Sequence, residues 1–116
     1  MTGVCVMQKI KQIKGIVASR FEFKISGSAF IVTQDDIFKF KKGQILIAES
    51  TNQNYLPAML KAKAIITECG GLLSHSAIIS REFNIPCIVN AKDILEYVKN
   101  GNKIIIYNNG CIDIYE

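Results

Sequence analysis

An α/β fold with mixed sheets is predicted for this chain, and three observations predict it. Short apolar runs in the middle alternate with helix-like segments, which implies parallel strands joined by crossovers. Strand runs on both flanks lack intervening helices, which implies a second, antiparallel layer. The 116 residues fit one small domain, and an apolar share of 49% is enough for a core.

Residues 1–13 read as an N-terminal linker or short helix, because Met7, Ile10 and Ile13 recur at helical spacing. Residues 14–116 form the domain. Gly15-Ile16-Val17-Ala18 and Phe21-Glu22-Phe23-Lys24-Ile25 are strand-like, the second by alternation of apolar and polar residues. Ser26-Gly27 breaks the run, and Ala29–Thr33 resumes it. A polar loop from Asp35 to Gly43 leads into the buried strand Gln44–Ala48. The capping-type cluster Ser50–Asn54 precedes a short helix, Tyr55–Ala62, with Pro57 in its first turn. Ala64–Thr67 is a second buried strand. Gly70-Gly71 follows, then a helix from Ser74 to Phe83, ended by Asn84-Ile85-Pro86. Cys87–Val89 is a strand and Ile94–Val98 a helical turn. A hairpin closes the chain, Lys103–Tyr107 and Cys111–Tyr115, and its Asn-Gly turn suits residues that tolerate positive φ.

The net charge of +4 is carried almost wholly by lysines scattered along the chain. Lys39, Lys41 and Lys42 are the densest group, and they read as a solvated loop. Aromatic residues do not interleave with them, so no nucleic-acid binding is expected. No signal peptide and no apolar run near the ~20 residues of a membrane span are visible, so no membrane contact and a soluble, cytoplasmic protein are expected. Cys5, Cys69, Cys87 and Cys111 form no C-x-x-C pair and read as reduced thiols. Cys69 and His75 are too few ligands for a metal site, so none is expected.

His75, the only histidine, carries the functional reading. It stands where a glycine pair after a buried strand opens a helix. Unpaired backbone N–H groups and the helix dipole make that point an anion site. The dipole disfavours a cation there, which favours a neutral ring nitrogen able to attack phosphorus. Ser74 and Ser76 offer hydroxyls to the helix end or to phosphoryl oxygens, with capping the safer role for Ser74. Thr67 offers a third hydroxyl. Arg81 can pair with phosphate, with a partner or with a surface carboxylate. There is no Ser-His-Asp set, no nucleotide loop and no acidic Mg²⁺ cluster. A domain that carries phosphate without a donor site must visit another domain.

The run Thr67-Glu68-Cys69-Gly70-Gly71-Leu72-Leu73-Ser74-His75-Ser76-Ala77-Ile78-Ile79-Ser80-Arg81-Glu82-Phe83-Asn84-Ile85-Pro86-Cys87-Ile88-Val89 resembles the PEP-utilising enzyme mobile domain. This is the swivelling phosphohistidine domain of phosphoenolpyruvate synthase, pyruvate phosphate dikinase and related kinases. Gly43–Ala48, Leu56–Met59 and the closing hairpin resemble the family's flanking elements, so the likeness covers residues 14–116. It implies a swivelling β/β/α domain with a parallel central sheet, an antiparallel second layer and short packing helices. It implies His75 as the phosphorylated residue, with Thr67, Gly70, Gly71, Ser74, Ser76 and Arg81 around the phosphoryl group. It further implies a partner ATP-grasp domain, in the same chain or a separate subunit, that holds ATP and Mg²⁺. An acceptor-binding domain would receive the phosphoryl group, and this domain itself would bind no cofactor. Leu73 stands where some dikinases have a regulatory threonine, and Cys69 and Asn90 also depart from the pattern, which implies a divergent branch with pyruvate or another small molecule as acceptor. The rival readings are a non-catalytic interaction domain that retains the fold and a small phosphocarrier of the sugar-transport kind.

Overall fold

A computed structural model describes residues 8–116. Eight strands and three short helices follow in order: β1 (Lys9–Lys14), β2 (Ile16–Ser19), β3 (Lys24–Ile31), β4 (Ile45–Ala48), α1 (Leu56–Met59), β5 (Ala64–Thr67), α2 (His75–Glu82), β6 (Cys87–Val89), α3 (Ile94–Tyr97), β7 (Lys103–Tyr107) and β8 (Cys111–Tyr115). The strands run in the order β1-β8-β7-β3-β4-β5-β6-β2. Strands β3 to β6 are parallel, while β1, β8, β7 and the first half of β3 are antiparallel.

Two segments belong to both sheets. Strand β3 pairs with β7 through Lys24–Ser28 and with β4 through Ala29–Ile31. Residues 9–19 bend at Gly15, so β1 pairs with β8 in one sheet and β2 with β6 in the other. The sheets therefore fold over each other around an isoleucine-rich interior that includes Ile13, Ile45, Ile66, Ile88, Ile104, Ile106, Ile112 and Ile114. A second cluster, with Leu46, Met59, Ile65, Ala77 and Val89, lies between the parallel sheet and α1 and α2. Sheet, sheet and helices make the β/β/α layers, and the fully buried β4, β5 and β6 are covered on both faces.

The structure corrects four readings of local structure. Residues 9–13 lie in β1, where no helix forms; Ile13 faces the core opposite Ile112 while Ile10 stays 41% exposed. The helical spacing of Met7, Ile10 and Ile13 therefore has no bearing on residues 9–13, and residues 1–7 lie outside the described part. Lys9, Lys11 and Lys14 make β1 a charged edge strand, which discourages pairing with a further strand. Ser26-Gly27 does not break β3; a Cβ at Gly27 would come within 3.1 Å of the Ile45 side chain, so glycine here serves close packing at the bend between sheets. The expected helix over 55–62 shrinks to α1, followed by i→i+3 bonds from Lys61 and Ala62 to Ala58 and Met59. In the closing hairpin only Gly110 has positive φ, at 96°, and its N–H donates to Tyr107 O at 2.9 Å. The turn is Asn108-Asn109-Gly110, as expected, but Asn109 does not take the positive φ that an Asn-Gly turn suggests.

Candidate functional site

The C-terminal ends of parallel strands gather the loops that carry polar groups, and helices start there. Strand β5 ends at the buried Thr67, the chain crosses Gly70-Gly71, and α2 begins at His75. Gly70 has φ 110°, and a Cβ there would stand 3.1 Å from Ser74 Oγ. Glycine at 70 is thus required by conformation and by space. Gly71 has neither constraint, since no atom lies within 4 Å of its built Cβ.

His75 occupies the first position of α2 and is half-buried. Its Nδ1 lies 2.9 Å from the Thr51 hydroxyl on the loop after β4. The ring is therefore held from a second strand end through Nδ1, and Nε2 has no hydrogen-bond partner among the described residues. Ser74 supplies the extended cap conformation but its hydroxyl makes no cap bond. It donates to Gly71 O at 2.7 Å, closing the loop on itself, and stands 3.3 Å from Ser76 Oγ. The expected side-chain capping by Ser74 is corrected accordingly. Ser76 is 2% exposed. Thr67 Oγ1 is fully buried and has no hydrogen-bond partner among the described residues. It lies 3.9 Å from the position of a Cβ built at Gly70, on the side of the loop that faces Ser74. A buried hydroxyl without a partner is costly.

Arg81 is turned toward the protein backbone. Its guanidinium donates to Ala18 O at 3.1 Å and to Leu72 O at 2.7 Å. It clamps the loop before His75 to β2, a task the planar fork of arginine performs and a lysine cannot reproduce. Behind α2, burial pushes the Cys87 thiol up to about 11, opposed by the neighbouring Ser80 hydroxyl and the charge of Arg81, while the thiol donates to Ser76 O at 3.9 Å.

The sequence alone gives no signal for Thr51, because the Ser50–Asn54 cluster reads as a capping segment. Asn52 does fill that role by accepting from Asn54 N at 2.8 Å. The four exposed apolar residues Leu72, Leu73, Ile78 and Phe83 flank the histidine on its loop and helix, with Leu73 86% exposed. Glu49, Glu68 and Cys69 converge at the ends of β4 and β5, with one ligand atom from each within 4.8 Å of the others. One oxygen of Glu68 is used by Leu95 N at 3.2 Å.

A model of the PEP-utilising enzyme mobile domain matches residues 40–109. The chain belongs to that family. Phosphoenolpyruvate synthase of Pyrococcus furiosus is 42% identical over 76 residues, which is 66% of this chain and 9% of that enzyme. Rifampicin phosphotransferase of Bacillus subtilis is 29% identical over 92 residues, covering 78% of this chain and 11% of that protein. The mobile domain thus spans about a tenth of these relatives' length. Among solved structures, aconitase X of Thermococcus kodakaraensis aligns with TM-score 0.61 at 17% identity, over 92% of this chain and all of that one. An Enzyme I structure aligns with TM-score 0.57 at 22% identity, over 68% of this chain and 33% of that one. These two likenesses concern the fold.

Proposed function

We propose that this mobile domain is a phosphohistidine carrier in a phosphotransferase of the phosphoenolpyruvate synthase or dikinase kind. The observation that carries the reading is the bond between Thr51 and His75 Nδ1 at the start of α2. With Nδ1–H donating to the Thr51 hydroxyl, Nε2 keeps its lone pair. Nε2 attacks a phosphoryl group in line, the N–P bond forms, and the P–O bond to the leaving group breaks with its electrons going to that oxygen. The ring keeps its Nδ1 proton throughout this step. In the return step an acceptor oxygen attacks the same phosphorus, and Nε2 regains its lone pair as the leaving group.

Thr67 and the first N–H groups of α2 are the donors proposed for the phosphoryl oxygens, with Gly70 giving the room for approach. Ser74, Gly71 and Arg81 position the loop. The nucleotide donor and its Mg²⁺ would be held by an ATP-grasp partner domain, and the acceptor, pyruvate or another small molecule, by a further domain. The exposed Leu72 and Leu73 fit such visits, since apolar contact excludes water from a labile N–P bond.

The test is incubation of the purified chain with the ATP-binding partner and ATP labelled in its phosphoryl groups. Acid-labile, base-stable label should appear on the chain and vanish with His75→Ala. Label that persists in that variant would refute the carrier role, and a complete lack of label in the wild type would favour the interaction-domain alternative.

A further inference from the structure

The antiparallel sheet has an outer face that the proposed carrier chemistry does not use. Helices α1 and α2 pack on the parallel sheet instead. Alternation fixes which residues stand on the free face. Ile104, Ile106, Ile112 and Ile114 point into the core, so Lys103, Tyr107, Asp113 and Tyr115 point out. The strand register then sets them in rows. Lys9, Tyr115 and Lys103 form one row, and Gln12, Asp113 and Ile105 form the middle one. Lys14 beside Cys111 and Lys24 beside Tyr107 form the third. With strands ~4.8 Å apart and ~3.4 Å per residue, this grid is about 14 Å on each side.

The face carries four lysines, with Lys9, Lys14 and Lys24 at corners of the grid and Lys103 one strand in from the corner at Ser28. Lys9, Lys14, Lys24 and Lys103 are all exposed, whereas Asp113 is 4% exposed. Asp113 is held from within the face, by Gln12 Nε2 at 2.6 Å and by Lys9 Nζ at 3.7 Å. Four ammonium groups around one shielded carboxylate, on a sheet layer with no helix of the parallel-sheet side over it, leave a local excess of positive charge.

We infer that this face is a docking surface for a carboxylate-rich protein surface. A nucleic-acid strand is disfavoured on two grounds. Asp113 sits at the centre of the grid, where a continuous polyanion would have to cross it. Tyr107 and Tyr115 are half-buried, and the strongly exposed Phe23 is overlaid by Lys24 Nζ at 5.8 Å from its centroid. No wide, free ring face is offered for base stacking. A protein surface whose separate carboxylates reach the four lysines around Asp113 meets both conditions. The grid is smaller than a standard interface, so the contact is weak, reversible and sensitive to salt. That suits a domain that must leave its neighbour.

The experiment is an amide NMR titration of the chain with a (Glu-Gly-Ser)5 peptide, whose carboxylates are spaced apart, repeated with a dT10 oligonucleotide, at low and at physiological salt. Expected are shifts confined to β1, β7, β8 and the first half of β3, and at least about fivefold weaker binding when Lys9, Lys14, Lys24 and Lys103 are all changed to Ser. The control with Lys39, Lys41 and Lys42 changed to Ser should bind as wild type. Should the fourfold variant fail to fold, Lys14→Gln with Lys103→Gln serves in its place, with at least about twofold weakening expected. Shifts spread over all lysines, no loss in the variants, or no binding of the peptide would overturn the inference. Tighter binding of dT10 than of the peptide would overturn it in favour of nucleic acid.

Discussion

Replacing Thr51 by Val removes one hydroxyl and almost no volume, and so isolates the bond to His75. That bond is 2.9 Å long and half-buried. A hydrogen bond of this kind contributes about 0.5–1.5 kcal/mol net. The carrier reading needs Nδ1–H to donate and Thr51 Oγ1 to accept, which stabilises the tautomer with a free Nε2 by that amount. Thr51→Val should therefore shift the tautomer ratio about 2–13-fold toward Nε2–H, since 1.4 kcal/mol is a factor of ten in an equilibrium. Long-range ¹⁵N–¹H correlation spectra of the imidazole at a pH where it is neutral read the ratio directly. The rate of phosphorylation by phosphoramidate, a small donor that needs no partner domain, should fall with the fraction of the Nδ1–H tautomer, by at most that factor. A shift of the ratio toward Nδ1–H would mean that the Thr51 hydroxyl is the donor. Nε2 would then carry the proton in the wild type, and the assignment of Nε2 as the waiting nucleophile would be wrong.

Gly110→Ala should cost about 2–4 kcal/mol in urea denaturation, because the new methyl group would stand 2.3 Å from Gly15 O at a φ of 96°; a loss below 1 kcal/mol would disprove the contact. Cys87 gives a pH signature: its thiol titrates near 9 when unfolded and at about 11 when folded. The proton is held more tightly in the native state, so this contribution to stability is present below pH 9 and is lost as pH rises toward 11, for a total of about 3 kcal/mol. Thermal stability should therefore fall less steeply over that window in Cys87→Ala than in wild type, and Cys87 should resist alkylation at pH 8 while exposed Cys69 reacts. Arg81→Lys should lower stability by about 1 kcal/mol, as the two backbone bonds need a fork. Phosphorylation by phosphoramidate at saturating donor should be retained in that variant; its loss would place Arg81 at the phosphoryl group.

The parallel strands β4, β5 and β6 were legible because each is a short run buried on both faces, bounded by polar or glycine-containing turns. Helix α2 was legible from its glycine entry and its Asn-Ile-Pro exit. Strand β1 was not, because three lysines on an edge strand hide the period of two, and a helical spacing arose from Ile10, which faces outward. The bend at Gly27 was misread because local sequence cannot show that the glycine meets Ile45, 18 positions away in the chain. At the site, the entry of His75 into a helix could be read locally. Thr51 could not, since its tie to the histidine runs across 24 residues. Asn90 departs from the family's glycine, yet it keeps a φ of 55°, which asparagine tolerates better than most side chains.

Residues 9–19 and 24–31 are each shared by both sheets, and this ties the mechanical fate of the two layers together. Neither sheet can peel away while the other stays intact, because the same backbone hems both. Thermal agitation short of complete denaturation is then confined to the connecting turns. The scaffold beneath the imidazole is then one cooperative block, and partial opening of a single layer does not loosen the geometry that holds the ring.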